Sequence, residues 1–348
     1  MDRKLKIAVL FGGCSPEYGV SLQSAAAVLR HMDREKYEPV MVGISRNGDW
    51  FHYTGPVSRV GDGSWNSGEI CAPAALSPSR SRAALLVFEE RALRRIHLDA
   101  AFPVLHGRNG EDGTVQGLLE LAGIPLAGCG VLASALCMDK DRAHRLVRAA
   151  GIDVPESFTA RRADRETLER AEEIGYPLFV KPLRAGSSFG ITRVMERSAL
   201  PAALEAAFAY DEQAIVEAAV PGFEVGCAVL GNDVLTVGEP DEIALAGDFF
   251  DYTEKYTLKT SAIHVPARVT PDQRRRIQEN AKAIYRALDC RGFARVDQFL
   301  TPEGRLVFNE VNTIPGFTAH SRFPNMMKAA GLSFERLVSA IIELAVTP

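Results

Sequence analysis

The 348-residue chain lacks what several large functional classes require. It has no CxxC pair: Cys14, Cys71, Cys129, Cys137, Cys227 and Cys290 are widely scattered, which argues against a disulfide framework or a thiolate zinc site. No block of basic residues is long enough for a nucleic-acid groove or an anionic membrane patch, and the net charge is −4. No apolar run approaches bilayer thickness, and the run from Ile7 to Phe11 is too short for a secretion signal. A GxxxxGK[ST] loop is missing, as is a GxGxxG after the first apolar run. Neither a Walker-type nucleotidase nor a nicotinamide-dependent oxidoreductase fits. His31, His52, His97, His144 and His264 show no ligand spacing and read as surface or structural residues. What remains is a cytoplasmic protein without nucleic-acid or membrane partners. Its length and 47% hydrophobic content predict two or three domains.

The chain opens with strand–helix–strand order. Lys6 to Phe11 reads as a buried parallel strand ended by Gly12-Gly13, Ser21 to His31 as a helix, and Val40 to Ile44 as a second strand. This predicts an open, doubly wound α/β unit. Residues from about Asn47 to Arg95 are rich in Gly, Pro and Ser and read as a variable insertion before a strand from Ala100 to Leu105. A helix from about Leu132 to Ala150 ends at Gly151–Pro155, where a domain seam is expected. Strands follow at Pro177–Pro182 and Ile215–Glu217, and Pro221-Gly222 marks a second seam. Thr270-Pro271-Asp272-Gln273 has the form of a capping box with proline in the first turn. Ile277, Ala281, Ile284 and Leu288 then share one helical face.

The chemistry concentrates near the C-terminus. In Gly292–Leu300 the period-2 rule puts Arg295 and Asp297 on one face, and in Leu306–Asn312 it puts Glu310 beside Asn312. If the strands pair, Asp297, Glu310 and Asn312 converge as hard oxygen donors suited to Mg²⁺. A solvated polar face is the commoner alternative, but these residues sit among apolar neighbours, where unpaired charge is costly. Lys181, at the end of a strand, precedes the small-residue loop Arg184–Gly190, whose N–H groups can approach phosphate oxygens; alone, such a loop reads first as a plain surface turn. Lys140 offers a second cation. Glu217 and Glu224 can accept bonds from an adenine amino group and ribose hydroxyls, though each alone reads as a surface charge.

In this order the motifs resemble one family. Gly12–Ser21, His106–Gly113, Met138-Asp139-Lys140, Lys181-Pro182, Gly186–Gly190, Phe249–Tyr256, Arg295-Val296-Asp297 and Asn309–Gly316 are similar to the signatures of D-alanine–D-alanine ligases, across nearly the whole chain outside 47–95. The resemblance implies a Rossmann-like N-terminal domain (1–131), then an ATP-grasp fold with a central subdomain (132–220) and a C-terminal subdomain (221–348) carrying a lid at about 246–262. It implies ATP held by Lys140, Lys181, Ser188, Glu217, Glu224 and Lys255. Two Mg²⁺ ions, replaceable by Mn²⁺, would sit on Asp297, Glu310 and Asn312. Glu17 would bind the amino group of the first D-alanine, joined by Ser187 and Tyr256 in a hydrogen-bonded set, with His106 beside its carboxylate. A homodimer is also implied. Gly19 and Ala185 depart from the family, which usually has glutamate at the first position and often at the second.

The implied reaction forms a D-alanyl phosphate, which a second amine then attacks while Arg295 and the Gly316 N–H hold the oxyanion. The lid would exclude water. Ser321 would bind the second substrate's carboxylate. Arg322 stands where makers of D-alanyl-D-alanine commonly have an aliphatic residue. With Lys255-Tyr256 retained, the pattern resembles VanG-type D-alanine–D-serine ligases of vancomycin resistance, whose peptidoglycan precursor has low vancomycin affinity. D-serine is therefore the expected second substrate, D-alanine the alternative and D-lactate a more distant one. Arg322 would hold the D-serine hydroxyl unless it instead pairs with a local acid. A non-catalytic ATP-binding relative would show gaps in the lysine or metal set, and none exists.

Overall fold

A computed structural model describes residues 3–186, 189–244 and 262–347. β1 (Leu5–Gly12) is buried on both faces, as a parallel central strand must be: Ile7 to Phe11 are all fully enclosed. It leads through α1 (Tyr18–His31) to β2 (Tyr37–Ile44), parallel in register from Leu5↔Tyr37 to Gly12↔Ile44. The segment read as an insertion carries regular elements of its own. β3 (Trp50–Tyr53), α2 (Val57–Gly61), β4 (Cys71–Leu76), β5 (Ala84–Glu89) and β6 (Ala92–His97) extend this sheet antiparallel, ahead of β7 (Ala100–Pro103) on the other side of β1. The sheet order is β6-β5-β4-β3-β2-β1-β7. Its outer strands hide from sequence reading because they are short and joined by turn residues, and β6 buries only Ile96. Trp65 anchors the extension. Its ring is fully buried edge-on to Phe11, and its indole N–H donates to the Tyr18 hydroxyl at 2.8 Å.

α3 (Thr114–Ala122) is followed by two helices, α4 (Val131–Met138) and α5 (Lys140–Ala149), where the sequence predicts one. Asp139 is the cause. It adopts extended backbone, and its carboxylate caps α5 by accepting from Arg142 N at 3.1 Å. The break puts Lys140 on the first turn of α5.

A second sheet has the order β10-β9-β11-β8, built from β8 (Ser157–Ala160), β9 (Leu178–Pro182), β10 (Thr192–Val194) and β11 (Ala214–Ala218). α6 (Arg165–Ile174) and α7 (Leu200–Phe208) cover it. The third sheet contains β12 (Phe223–Leu230), β13 (Thr236–Val237), β14 (Asp241–Ala244), β15 (Ala262–His264), β16 (Phe293–Leu300) and β17 (Leu306–Asn312). Its path is β15-β14-β12-β16-β17, with β13 paired to β12. Packed on it is α8 (Pro271–Ala287), whose capping box forms as expected: Thr270 accepts from Gln273 N, and the Gln273 side chain returns to Thr270 N. Ile277, Ala281, Ile284 and Leu288 share one apolar cluster with Ala133 and Cys137 of α4 and Ala143 and Val147 of α5. α9 (Arg322–Ala329) and α10 (Phe334–Val346) return the chain to the first sheet, packing Phe323, Met326 and Ile341 in one cluster with Phe11 and Phe102. Among the described residues no helix is long and apolar enough to cross a membrane.

Candidate active site

β16 and β17 pair antiparallel with Arg295 opposite Asn312 and Asp297 opposite Glu310, so the expected convergence occurs. Asn312 Nδ2 donates to Asp297 Oδ2 at 3.0 Å and lies 3.4 Å from Glu310 Oε1. Arg295 is buried and forks onto Asp297: Nε lies 2.9 and 3.0 Å from the two carboxylate oxygens, and Nη2 donates to Oδ2 at 2.6 Å. Burial and the neighbouring Arg322 work against the guanidinium's charge, and the Asp297 and Asp241 carboxylates together leave its pKa raised. No three His, Cys, Asp or Glu side chains gather as a metal site among the described residues. The set here is two carboxylates and one amide. That fits a divalent ion which keeps water and phosphate oxygens in its shell.

Arg295, Asp297 and Glu310 floor a cleft of about 700 Å³ between the second and third sheets. Lys140, Lys181, Glu217 and Glu224 line the same cleft, so residues far apart in sequence share one cavity. Lys140 Nζ donates to the Ala185 carbonyl at 2.8 Å, tying the first turn of α5 to the small-residue loop. Lys181 on β9 and Glu217 on β11 form a buried salt bridge. The reading of Glu217 as a surface charge is thereby corrected; a carboxylate this enclosed needs its cation. His144 packs edge-on to Phe308 on the other side, and burial lowers its pKa.

A second group surrounds the end of β1. The buried Glu17 carboxylate faces the backbone of two loops: an added Cβ at Gly107 would lie 2.5 Å from Glu17 Oε2, and one at Gly186 would lie 3.2 Å away. His106 Nδ1 is 2.9 Å from the Ile314 carbonyl, and its Nε2 is 3.4 Å from Ser24 Oγ. Ser24 Oγ also accepts from Phe317 N at 3.1 Å. Glu111, which sequence reading passed over, links the same loops by accepting from Gly107 N at 2.9 Å and Ile314 N at 3.1 Å. Gly316 lies beside Ser321, whose Oγ accepts from Thr318 N at 2.9 Å. Gly19 faces open space within 4 Å, so its departure from the glutamate pattern leaves room rather than a clash.

Arg322 has local acid partners. It is buried, with Nε and Nη2 both 2.7 Å from the Asp241 carboxylate, Nη1 2.6 Å from Glu224 Oε1, and Nη2 3.3 Å from Asp297 Oδ1. Burial opposes its charge, and Asp241, Asp297 and Glu224 together hold its pKa well above the ordinary value. Burial lifts the Glu224 carboxyl; Arg322 draws it down while Asp297 and Glu310 raise it. Arg322 lines both the main cleft and a second cavity of about 500 Å³ with Ile263, Val265 and His320. Asp241 is the residue that sequence reading missed. Only the Asp-Glu pair at 241–242 hinted at it, and nothing local tied it to position 322. Ser187, Ser188, Lys255, Tyr256 and nearly all of the expected lid lie outside the described residues.

Comparison with known proteins gives two family models in tandem: "D-ala D-ala ligase N-terminus" matches residues 6–129 and "D-ala D-ala ligase C-terminus" residues 146–343. The crystal structure of the VanG D-Ala:D-Ser ligase from Enterococcus faecalis is 55% identical, with a TM-score of 0.92, covering 99% of this chain and 100% of that one. A putative D-alanine–D-lactate ligase of Streptomyces coelicolor is 47% identical over 99% of this chain and 98% of its own length. A D-alanine–D-alanine ligase of Caldicellulosiruptor bescii is 42% identical over 99% and 95%.

Proposed function

The chain belongs to the D-alanine–D-alanine ligase family, with that family's ATP-grasp fold and ATP-dependent ligase chemistry, and we propose that it joins D-alanine to D-serine through a D-alanyl phosphate. The observation that carries the choice of D-serine is Arg322. It is a buried, fully charged guanidinium beside Ser321, where an aliphatic side chain would have nothing to offer a hydroxyl. The Asp241 fork fixes its plane, and it lines two adjoining cavities. A site built to hydrogen-bond a hydroxyl discriminates strongly against the analogue lacking it. The second reading, D-alanine, draws on the same geometry: a guanidinium already shared among Asp241, Glu224 and Asp297 has few donors left. The three relatives above bear names with three different second substrates, so overall similarity does not choose.

In the mechanism, Glu17 would hold the ammonium of the first D-alanine, and His106 would stand beside its carboxylate. Lys140 and Lys181 would meet phosphate oxygens while Glu217 and Glu224 meet the adenosine. Asp297, Glu310 and Asn312 would hold the divalent ions, two Mg²⁺ in this reading, which supply charge neutralisation along the triphosphate. Positioning then brings the first carboxylate in line with the terminal phosphorus, and the acyl phosphate forms with ADP as leaving group. The second substrate's amine attacks the acyl carbon, and phosphate departs. Arg295 and the Gly316 N–H would carry the oxyanion, each donor worth roughly 3 kcal/mol. The same reading makes the protein a cytoplasmic homodimer supplying a cell-wall precursor.

Phosphate release with D-alanine plus D-serine, D-alanine or D-lactate, followed across pH, tests the proposal. D-serine should give the highest kcat/KM for the second site, and Arg322→Met should shift preference toward D-alanine. Equal or better turnover with D-alanine alone would overturn it.

A further inference from the structure

We infer that Arg322 serves as a resident counter-ion of the nucleotide cleft, and that nucleotide and divalent metal must displace two of its three acid contacts before it can serve the second substrate. The inference rests on the reading above, in which Glu224 meets the nucleotide, Asp297 meets the metal and Arg322 meets the incoming amino acid.

The three contacts differ in strength. Asp241 is fully buried and gives two bonds of 2.7 Å, so that grip persists. Glu224 gives one bond of 2.6 Å, from a carboxylate on the lining of the cleft. Asp297 is 3.3 Å away and is already held by Arg295. The outer two contacts are therefore the ones that yield. Charge balance points the same way. In the immediate cluster, Glu224, Asp241 and Asp297 carry three negative charges against two positive charges on Arg322 and Arg295. A divalent ion on Asp297 and Glu310 takes over the role Arg322 plays toward Asp297. A ribose on Glu224 removes the second outer contact. Arg322 is left on Asp241 with Nη1 released, so the guanidinium edge becomes available only after the nucleotide is bound. Gly226 sits beneath this exchange and cannot be enlarged: an added Cβ would fall within 3 Å of Asp241 Oδ1 and Asp297 Oδ1.

The test measures Mn²⁺ binding to the nucleotide-free enzyme by the free-ion paramagnetic resonance signal, without any turnover. Arg322→Met removes the competitor, so Mn²⁺ should bind on the order of tenfold more tightly than to wild type. Because that variant strands the buried Asp241 carboxylate, the double variant Asp241→Asn/Arg322→Met is measured beside it and should show the same tightening. Unchanged or weaker Mn²⁺ affinity in the folded double variant overturns the inference. On the wild type, side-chain ¹⁵N resonances of Arg322 should move at Nη and stay nearly still at Nε when a non-hydrolysable ATP analogue and Mg²⁺ are added. No movement at Nη overturns it equally. Mn²⁺ tightening without a change in D-serine preference sinks only the D-serine reading; altered preference with unchanged Mn²⁺ affinity sinks only the counter-ion role.

Discussion

The Glu17 carboxylate lies so close to Gly107 that a single added carbon at that glycine would sit 2.5 Å from Oε2. Gly107 also has φ +68°, where a side chain costs about 1 kcal/mol. Gly107→Ala should therefore raise the KM for the first D-alanine by roughly tenfold, one power of ten in a binding constant, and leave the KM for ATP nearly unchanged. Gly19→Ala is the control. Nothing lies within 4 Å there, so it should keep full activity and add up to about 1 kcal/mol of helix stability. Steady-state kinetics and thermal unfolding of both variants check this.

Asp297→Asn should abolish Mn²⁺ binding and cut turnover by about a thousandfold, the scale of losing a principal charge-stabilising group. It should also cost about 3 kcal/mol of stability, because Arg295 would remain buried and charged without its carboxylate. Urea unfolding and phosphate release report the two losses separately. A variant that still binds the ion at wild-type affinity would contradict the assignment.

Lys181 and Glu217 make a double-mutant cycle that separates folding from nucleotide binding. Lys181→Met leaves a buried, unpaired carboxylate and should destabilise by about 3 kcal/mol. Lys181→Met/Glu217→Gln should recover most of that stability, since both charges are gone. ATP affinity, measured by calorimetry, should stay low in both variants.

His144 makes stability sensitive to mild acid. Burial holds its pKa below the ordinary 6.5, an effect that the nearby lysines strengthen and Glu217 weakens. The unfolded chain then gains a proton that the native ring resists. The stabilising contribution is complete above 6.5 and declines as pH falls through that value toward the folded one. Urea midpoints should therefore drop between about pH 7 and about pH 5, the span over which an ordinary histidine protonates. His144→Gln should flatten that decline; an unchanged slope would assign it to other groups.

The legible parts of this protein are those encoded by short-range periodicity. Alternation alone put Arg295 with Asp297 and Glu310 with Asn312, and the observed register joins the two pairs. The Thr270 capping box and the buried stripe of α8 were readable for the same reason, since each needs only residues within a few turns. The 47–95 segment was illegible because its strands are short and gain their order by adding to an existing sheet edge, with Trp65 supplying the anchor. The division of the expected 132–150 helix was equally hidden. Asp139 is an ordinary cap residue whose second partner, Arg184, stands 45 positions away.

The chain by itself determined the family and the reaction class, and pointed to the meeting of Asp297, Glu310 and Asn312, because each is written as a local run of residue types at fixed spacing. Only the tertiary structure decided what Arg322 does. Its partners Asp241 and Glu224 lie 81 and 98 positions earlier, and no pattern along the backbone couples them. An ion cluster depends on distance and burial, both products of the packing of three sheets, and a guanidinium offered to a substrate reads in sequence the same as one locked among acids.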